Sequence, residues 1–498
     1  MKNIKKINNK GINNDYEFCY SLINNKPRIA RLIADLLRIG VIDRDTEREL
    51  RRPGLTEKQK FKYIEQSIAS KGHELDKFRD TVDTTLYSLR AIINRTYELR
   101  GMLEDIQVIK SIFKKASIVL SDPVVIRKQE KLGNSNFSFF VHSGETKYFV
   151  RYHDPLGFRY FQRHIPQKTT YYSVACAQIF GELLGKEAVV GIIYPNFETA
   201  RKNSFSPEEA NPIDKIASSV LIQKDLSDNY VELVHHQDIN LDITAAVKIY
   251  AKVLAKYHGK SFGIVRHFNE HLTNDIRIMQ LLNNVGNEIR FSSSNCYGTW
   301  LQNHNWVTRM YHSLDNSYHK DNLIYSDVKK ILFERGIHMQ DRFAKTCKSS
   351  IKRFKENGSI GHLDFKLNNL FVNKNTLSEI KIYDFDYITF LDPSYEAGHS
   401  LYSVLKHAIV EENVSDINIL LKLVECFCDE YDRTLNSCLE NGNFAGERLA
   451  DNDSFHRDYL FFAGFTLLSV LATEYDKYNL TSEQIYGIKQ ICVYLLGN

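Results

Sequence analysis

Gly361-His362-Leu363-Asp364-Phe365-Lys366-Leu367-Asn368-Asn369-Leu370-Phe371, followed by Ile380-Lys381-Ile382-Tyr383-Asp384-Phe385-Asp386, is the stretch on which the reading of this chain turns. His-x-Asp-x-x-x-x-Asn sets one carboxylate and one amide at the spacing that phosphoryl transfer needs for a base and a metal ligand. Asp384 follows Asn369 by fifteen residues. Residues 369–373 and 380–384 alternate as two strands across the polar turn Lys374 to Glu379, which predicts a hairpin. Such a hairpin brings Asn369 and Asp384 side by side, where one Mg²⁺ can be held. An ordinary hairpin with scattered carboxylates is the plainer alternative, and the placement of Asp384 argues against it.

Composition bounds the rest. A chain of 498 residues exceeds a single core and predicts two or three domains. The net charge of +4, from 65 basic and 61 acidic residues, argues against a general nucleic-acid binder. Eight scattered cysteines, with no CxxC pair, point to a reducing, cytosolic compartment, a host's cytosol if the protein is an exported effector. The basic, Asn-rich start lacks the apolar core of a signal peptide. The longest apolar run, Tyr459 to Thr473, is fifteen residues and short for a membrane span.

Residues 1–14 read as a disordered tail, and helical periodicity begins at Asp15. Leu32, Ile33, Leu36 and Leu37 share one apolar face ended by Gly40, and Thr56 with Gln59 opens a helix carrying Phe61, Ile64 and Ile68. The order of pieces over about 15–95, from Leu36-Leu37-Arg38-Ile39-Gly40 to Lys71-Gly72-His73-Glu74-Leu75, resembles a caspase-recruitment (CARD) domain of the death-fold superfamily. An unrelated helical bundle is the alternative. The resemblance implies a death-fold partner bound through charged faces, with Arg38, Arg44, Arg48, Arg51 and Arg52 as candidates. The spacing from Leu86 to Lys115 predicts a long helix, and residues 96–122 a helical linker.

From Asp122-Pro123 the pattern changes to strands. Gly133 to Val141, the turn Ser143-Gly144-Glu145, and Tyr148-Phe149-Val150-Arg151 resemble the start of the aminoglycoside phosphotransferase/choline kinase superfamily. Ala251-Lys252-Val253-Leu254-Ala255-Lys256-Tyr257-His258 resembles that family's Leu-Ala-x-Leu-His helix, and Asp392-Pro393-Ser394-Tyr395-Glu396 its Asp-Pro ending. The resemblance spans about 123–497 and implies a bilobal, protein-kinase-like domain. Residues 123–226 would form the N-lobe and hinge, and 227–498 the C-lobe, with a helical insertion at about 262–350. The fold class expected for the whole chain is α+β, with the all-α bundle first.

The resemblance further implies ATP or another NTP and Mg²⁺ as cofactors, with a hydroxyl-bearing acceptor. Asp364 would be the catalytic base, and Asn369 and Asp384 the metal ligands. Ser135, Asn136, Arg151, Gln223, Asp225 and Lys366 would bind the nucleotide. His258 and His362 read as structural, and Asp386 as a second metal ligand or a brace. One departure stands out: where the family has a Glu to anchor the basic strand residue, this chain has Ala177 and Gln178, with Glu182 one turn later. An adaptor or inert kinase scaffold in cell-death or innate-immune signalling therefore stays open beside an active phosphotransferase, as does a protein-kinase-like effector.

Overall fold

The computed structural model describes residues 46, 57–70, 94, 97–128, 137–153, 166–204, 211–270, 277–285, 294–315, 322–385, 389–440, 452–473 and 478–498. Among them α-helices and β-strands mix, with helix predominating. Most of the CARD-like stretch, including its charged candidates Arg38 to Arg52, lies outside the described residues. Glu57–Ser70 is helical and buries Phe61 and Ile64, as its spacing predicts.

Two compact units divide the chain, one formed by 1–171 and 192–225, the other by 172–191 and 226–498. In the first, helix α1 (Ile106–Lys115) precedes strands β1 (Val124–Lys128), β2 (Phe137–Ser143) and β3 (Thr146–Tyr152). Helix α2 (Pro166–Leu184) carries the chain into the second unit, and β4 (Ile192–Tyr194), α3 (Pro212–Ala217) and β5 (Val220–Lys224) return to the first. The strands form one antiparallel sheet in the order β1-β2-β3-β5-β4. Alternation along β2 sends Phe137, Phe139 and Val141 to the face that also buries Val150, Tyr152, Val220 and Ile222. Ile109, Ile112 and Phe113 of α1 join the same core. Gly144, at φ +57°, makes the tight β2–β3 turn.

The single helix expected from Leu86 to Lys115 is interrupted. Helical residues 97–102 tighten through Leu103 N–H to Arg100 O (3.1 Å) and Glu104 N–H to Gly101 O (3.1 Å). Asp105 then leaves helical geometry, and its carboxylate accepts from Gln107 N–H at 2.8 Å to start α1. A short acidic side chain that can bond the backbone two residues on competes with helix continuation, and here it wins.

In the second unit the turn after α2 lays Val189 beside Ile382 as a parallel bridge. β6 (Tyr230–Glu232) leads through the short helical segment Leu233–Ile239 to α4 (Ile243–Lys260), whose N-cap Asp242 accepts from Ala245 N–H at 2.8 Å. The expected insertion is helical where described, ending in α5 (Met339–Asn357). Then come β7 (Ser359–Gly361), β8 (Leu370–Asn373), β9 (Ile380–Ile382) and β10 (Thr389–Leu391). Helices α6 (Pro393–Val410), α7 (Ile417–Glu440), α8 (Asn452–Thr473) and α9 (Ser482–Gly497) close the chain. α4 packs on α7, α6 on α8, and α8 on α9. No helix among the described residues is long and apolar enough to cross a membrane.

The predicted hairpin is present as β8–β9, with Leu370 opposite Ile382 and Val372 opposite Ile380. β6 adds to its other edge, and β7 pairs separately with β10. Beneath the start of α6, Arg353 from α5 holds two buried acids. Its guanidinium donates to Asp392 Oδ2 at 3.0 Å and Asp458 Oδ2 at 2.8 Å, and also to Ser349 and Ser394. Removing the cation strands both carboxylates away from water. Arg353→Met is therefore expected to cost about 3–5 kcal/mol in urea unfolding. A loss below about 1 kcal/mol would mean that the acids find other partners.

Candidate functional site

β7 ends at Gly361, where space is scarce. A Cβ there would sit 2.2 Å from Leu391 Cδ2 and 2.8 Å from Glu396 Oε2, so only glycine fits. The next two amides, His362 N–H and Leu363 N–H, both donate to Glu396 Oε1, at 2.8 and 2.6 Å. Glu396, buried on the first turn of α6, takes His258 Nε2–H on its other oxygen at 2.9 Å. His258 Nδ1 in turn accepts from the Tyr431 hydroxyl at 2.8 Å. This relay ties α4, α6 and α7 to the loop. Leu363 sits at φ +61°, a left-handed conformation that costs a branched residue about 1–3 kcal/mol and that its bond to Glu396 helps to hold.

Aromatic packing fixes the loop from beneath. Phe365 stacks on Tyr250 with centroids 4.7 Å apart, and the Tyr250 hydroxyl donates to Phe365 O at 2.7 Å. His362 lies against Phe180, Phe365 and Phe385, at 5.7–5.9 Å between centroids. Its Nε2–H donates to Tyr383 O at 3.2 Å, joining the loop to the strand that carries Asp384. His362 is thus a fully buried positioning residue.

Asp364 follows this anchored pair and makes an ion pair with Lys366; its side chain is 32% exposed and that of Lys366 44%. Burial pushes the Asp364 carboxyl above the ordinary carboxylate range; Lys366 pulls it down, and the neighbouring Asp384 charge pushes it up. Asn369, buried, donates Nδ2–H to Asp364 O at 2.7 Å, leaving its amide oxygen as the remaining acceptor. Tyr383 N–H donates to Asn369 O at 3.2 Å, so the hairpin carries Asp384 past Asn369. Asp384 itself stands at φ +69°. Asp364, Lys366, Asn369 and Asp384 therefore gather at one end of the β8–β9 hairpin. An amide oxygen beside a carboxylate is the donor type of a small hard cation such as Mg²⁺.

The remaining predicted residues lie in the first unit. Arg151 is buried in β3, opposite Ser138 and Leu221. Gln223 is buried in β5 with Phe149 and Ile192 on either side. The Asp225 N–H is already given to Lys147 O at 3.0 Å, which removes it as a donor to a bound base. Ser135, Asn136 and Asp386 lie outside the described residues. On α2, Glu182 is exposed and Gln178 has a buried side-chain oxygen.

Two residues of the site escaped the sequence reading. Glu396 is the acceptor on which the loop depends, and its signal was a lone acid among small and aromatic residues in Tyr395-Glu396-Ala397-Gly398. His399, one turn on, is buried beside Tyr395 and Tyr402. Burial, then the Lys366 charge, push its pKa down to about 4, against the pull of Glu396.

Comparison with solved structures returns distant likenesses. A choline kinase from Streptococcus pneumoniae matches over 78% of this chain and 99% of its own, at 11% identity and a TM-score of 0.34. For a putative aminoglycoside phosphotransferase from Ralstonia eutropha the figures are 79%, 98%, 11% and 0.43. For an ethanolamine kinase from Plasmodium vivax they are 90%, 97%, 14% and 0.35. No family model and no curated protein matches the sequence.

The depressed His399 pKa has a consequence for stability. The native state keeps the ring neutral while the unfolded chain binds a proton near pH 6.5, so stability is full above that value and falls as pH drops toward about 4. Between pH 7 and 4.5 the wild type is expected to lose about 2–3 kcal/mol more than His399→Gln in urea unfolding. Parallel pH dependences for the two would show that the ring is protonated in place without penalty.

Proposed function

We propose that the second unit carries a phosphotransfer site that moves the terminal phosphoryl group of a nucleoside triphosphate to a hydroxyl-bearing acceptor. The observation that carries this reading is the convergence of Asp364, Lys366, Asn369 and Asp384 on a loop held by one buried carboxylate. An inert scaffold has no need of this set in this order.

In this reading Asp364 orients the acceptor hydroxyl and takes its proton as the oxygen attacks the γ-phosphorus. Its raised pKa makes it a better proton acceptor than an ordinary carboxylate, while the Lys366 charge opposes that rise. Once the proton has moved, Lys366 is free to offset negative charge on the transferred group. The Asn369 amide oxygen and the Asp384 carboxylate would hold Mg²⁺. That ion, when bound, neutralises the phosphate charge that builds up as the bond to the leaving nucleoside diphosphate breaks. The backbone carrying both residues is held by the β8–β9 pairing and by the Tyr383 N–H to Asn369 O bond, which suits a cation with strict geometry. His362 moves no proton and keeps the loop in register with β9.

The test uses the full chain with Mg-ATP and a panel of hydroxyl compounds. Asp384→Ala is expected to abolish the Mg²⁺-dependent thermal shift by ATP while leaving the metal-free melting curve in place. Asp364→Asn is expected to keep that shift and lose at least about a hundredfold in ATP turnover. An undiminished shift in the first variant, or undiminished turnover in the second, would falsify the assignment.

A further inference from the structure

Another convergence of ligand-type side chains lies in the second unit. His236 comes from the short segment between β6 and α4, His407 from the last turn of α6, and Glu412 from just beyond that helix. Among the described residues, their donor atoms all lie within 4.8 Å of one another. His236 Nε2 is 2.6 Å and His407 Nε2 3.2 Å from the same oxygen, Glu412 Oε1.

The tautomer of His236 is decided by its other nitrogen. Nδ1 lies 2.5 Å from Leu241 O, a carbonyl that only accepts, so Nδ1 carries the hydrogen. The ring's Nε2 faces the Glu412 carboxylate, where a cation placed between the two would be bound by both. His407 Nε2 aims at the same oxygen, so two imidazoles and one carboxylate converge on one point. The backbone fixes the arrangement: Glu412 N–H donates to His407 O at 3.2 Å and Val414 N–H to Ala408 O at 2.9 Å. Leu241 N–H returns to His236 O at 3.1 Å. An imidazole whose second nitrogen donates to a backbone carbonyl is the usual outer support of a metal-bound histidine.

We propose that His236, His407 and Glu412 form a three-ligand site for a divalent transition-metal ion, zinc by preference. Two imidazoles and one carboxylate suit zinc better than magnesium, and three protein ligands leave a fourth position for water. Ligands about 2.0–2.2 Å from the ion stand roughly 3.3 Å apart in a tetrahedron. The His407–Glu412 separation already meets this, and the carboxylate, 14% exposed, needs to swing less than about 1 Å from His236. The ion would clamp the segment after β6, which borders β8, to the end of α6, whose first turn carries Glu396. It is a brace for the loop, since the segment carrying His236 packs against Leu367–Asn369.

The test takes the full chain, strips it with chelator and titrates it with Zn²⁺ alone, then with Co²⁺ as a spectroscopic stand-in. The wild type is expected to retain one more equivalent of zinc after gel filtration than His407→Asn or Glu412→Gln. Each variant should bind at least about a hundredfold more weakly. The Co²⁺ absorption lost in the variants should show tetrahedral d–d bands and no thiolate charge-transfer band. Two partly exposed positions give two chances of a folded variant, checked by circular dichroism, and zinc should raise the wild-type melting temperature in any case. Equal metal content in wild type and variants, a thiolate band in the lost absorption, or no zinc-dependent melting shift would each overturn the proposal. The cluster would then be an imidazolium–carboxylate latch.

Discussion

One buried carboxylate sets the geometry of the second unit. Glu396 accepts two successive amides, His362 and Leu363, on one oxygen and the His258 imidazole on the other. Hydrogen bonds to a charged acceptor are worth about 1.5–3 kcal/mol each, and an orphaned buried donor costs a comparable amount. Three such donors depend on this side chain. Through them the end of β7, the left-handed Leu363 and the core helix α4 are held to one point, and Asp364 is the next residue out. The close approach explains why residue 361 has no side chain.

The site shows a division of labour between burial and exposure. Glu396, His258, His362 and Asn369 are all buried, and each is held by at least one hydrogen bond to the backbone or to another buried side chain. Asp364 and Lys366 are left partly exposed and paired with each other. Rigid groups thus position mobile ones. This is the arrangement that proton transfer to a carboxylate needs, since the carboxylate must reach solvent-borne substrate without its backbone moving.

The parts of this arrangement that were legible in the sequence are those made by local rules. The hairpin could be read because two strand-like arms and a polar turn specify it, whereas its register, Leu370 opposite Ile382, lies one residue from that implied by setting Asn369 beside Asp384. The grouping of Asp364, Asn369 and Asp384 follows from that hairpin. Long-range partners could not be read. Glu396 meets His362 across 34 residues and His258 across 138, and periodicity carries no information about such contacts. The break before α1 was missed for another reason: apolar spacing runs on through Leu103 and Ile106, and only the Asp105 side chain marks the new start. The CARD-like reading falls for the most part on residues outside those described.

Amide hydrogen exchange on the full chain tests the role of Glu396 most directly. In Glu396→Ala, exchange at His362 and Leu363 is expected to accelerate at least about tenfold, while β8, β9 and α7 keep their protection. Unchanged protection at the two loop amides would contradict the account. So would an equal loss across all these elements, which would make Glu396 a general support of the core rather than the holder of the loop that presents Asp364.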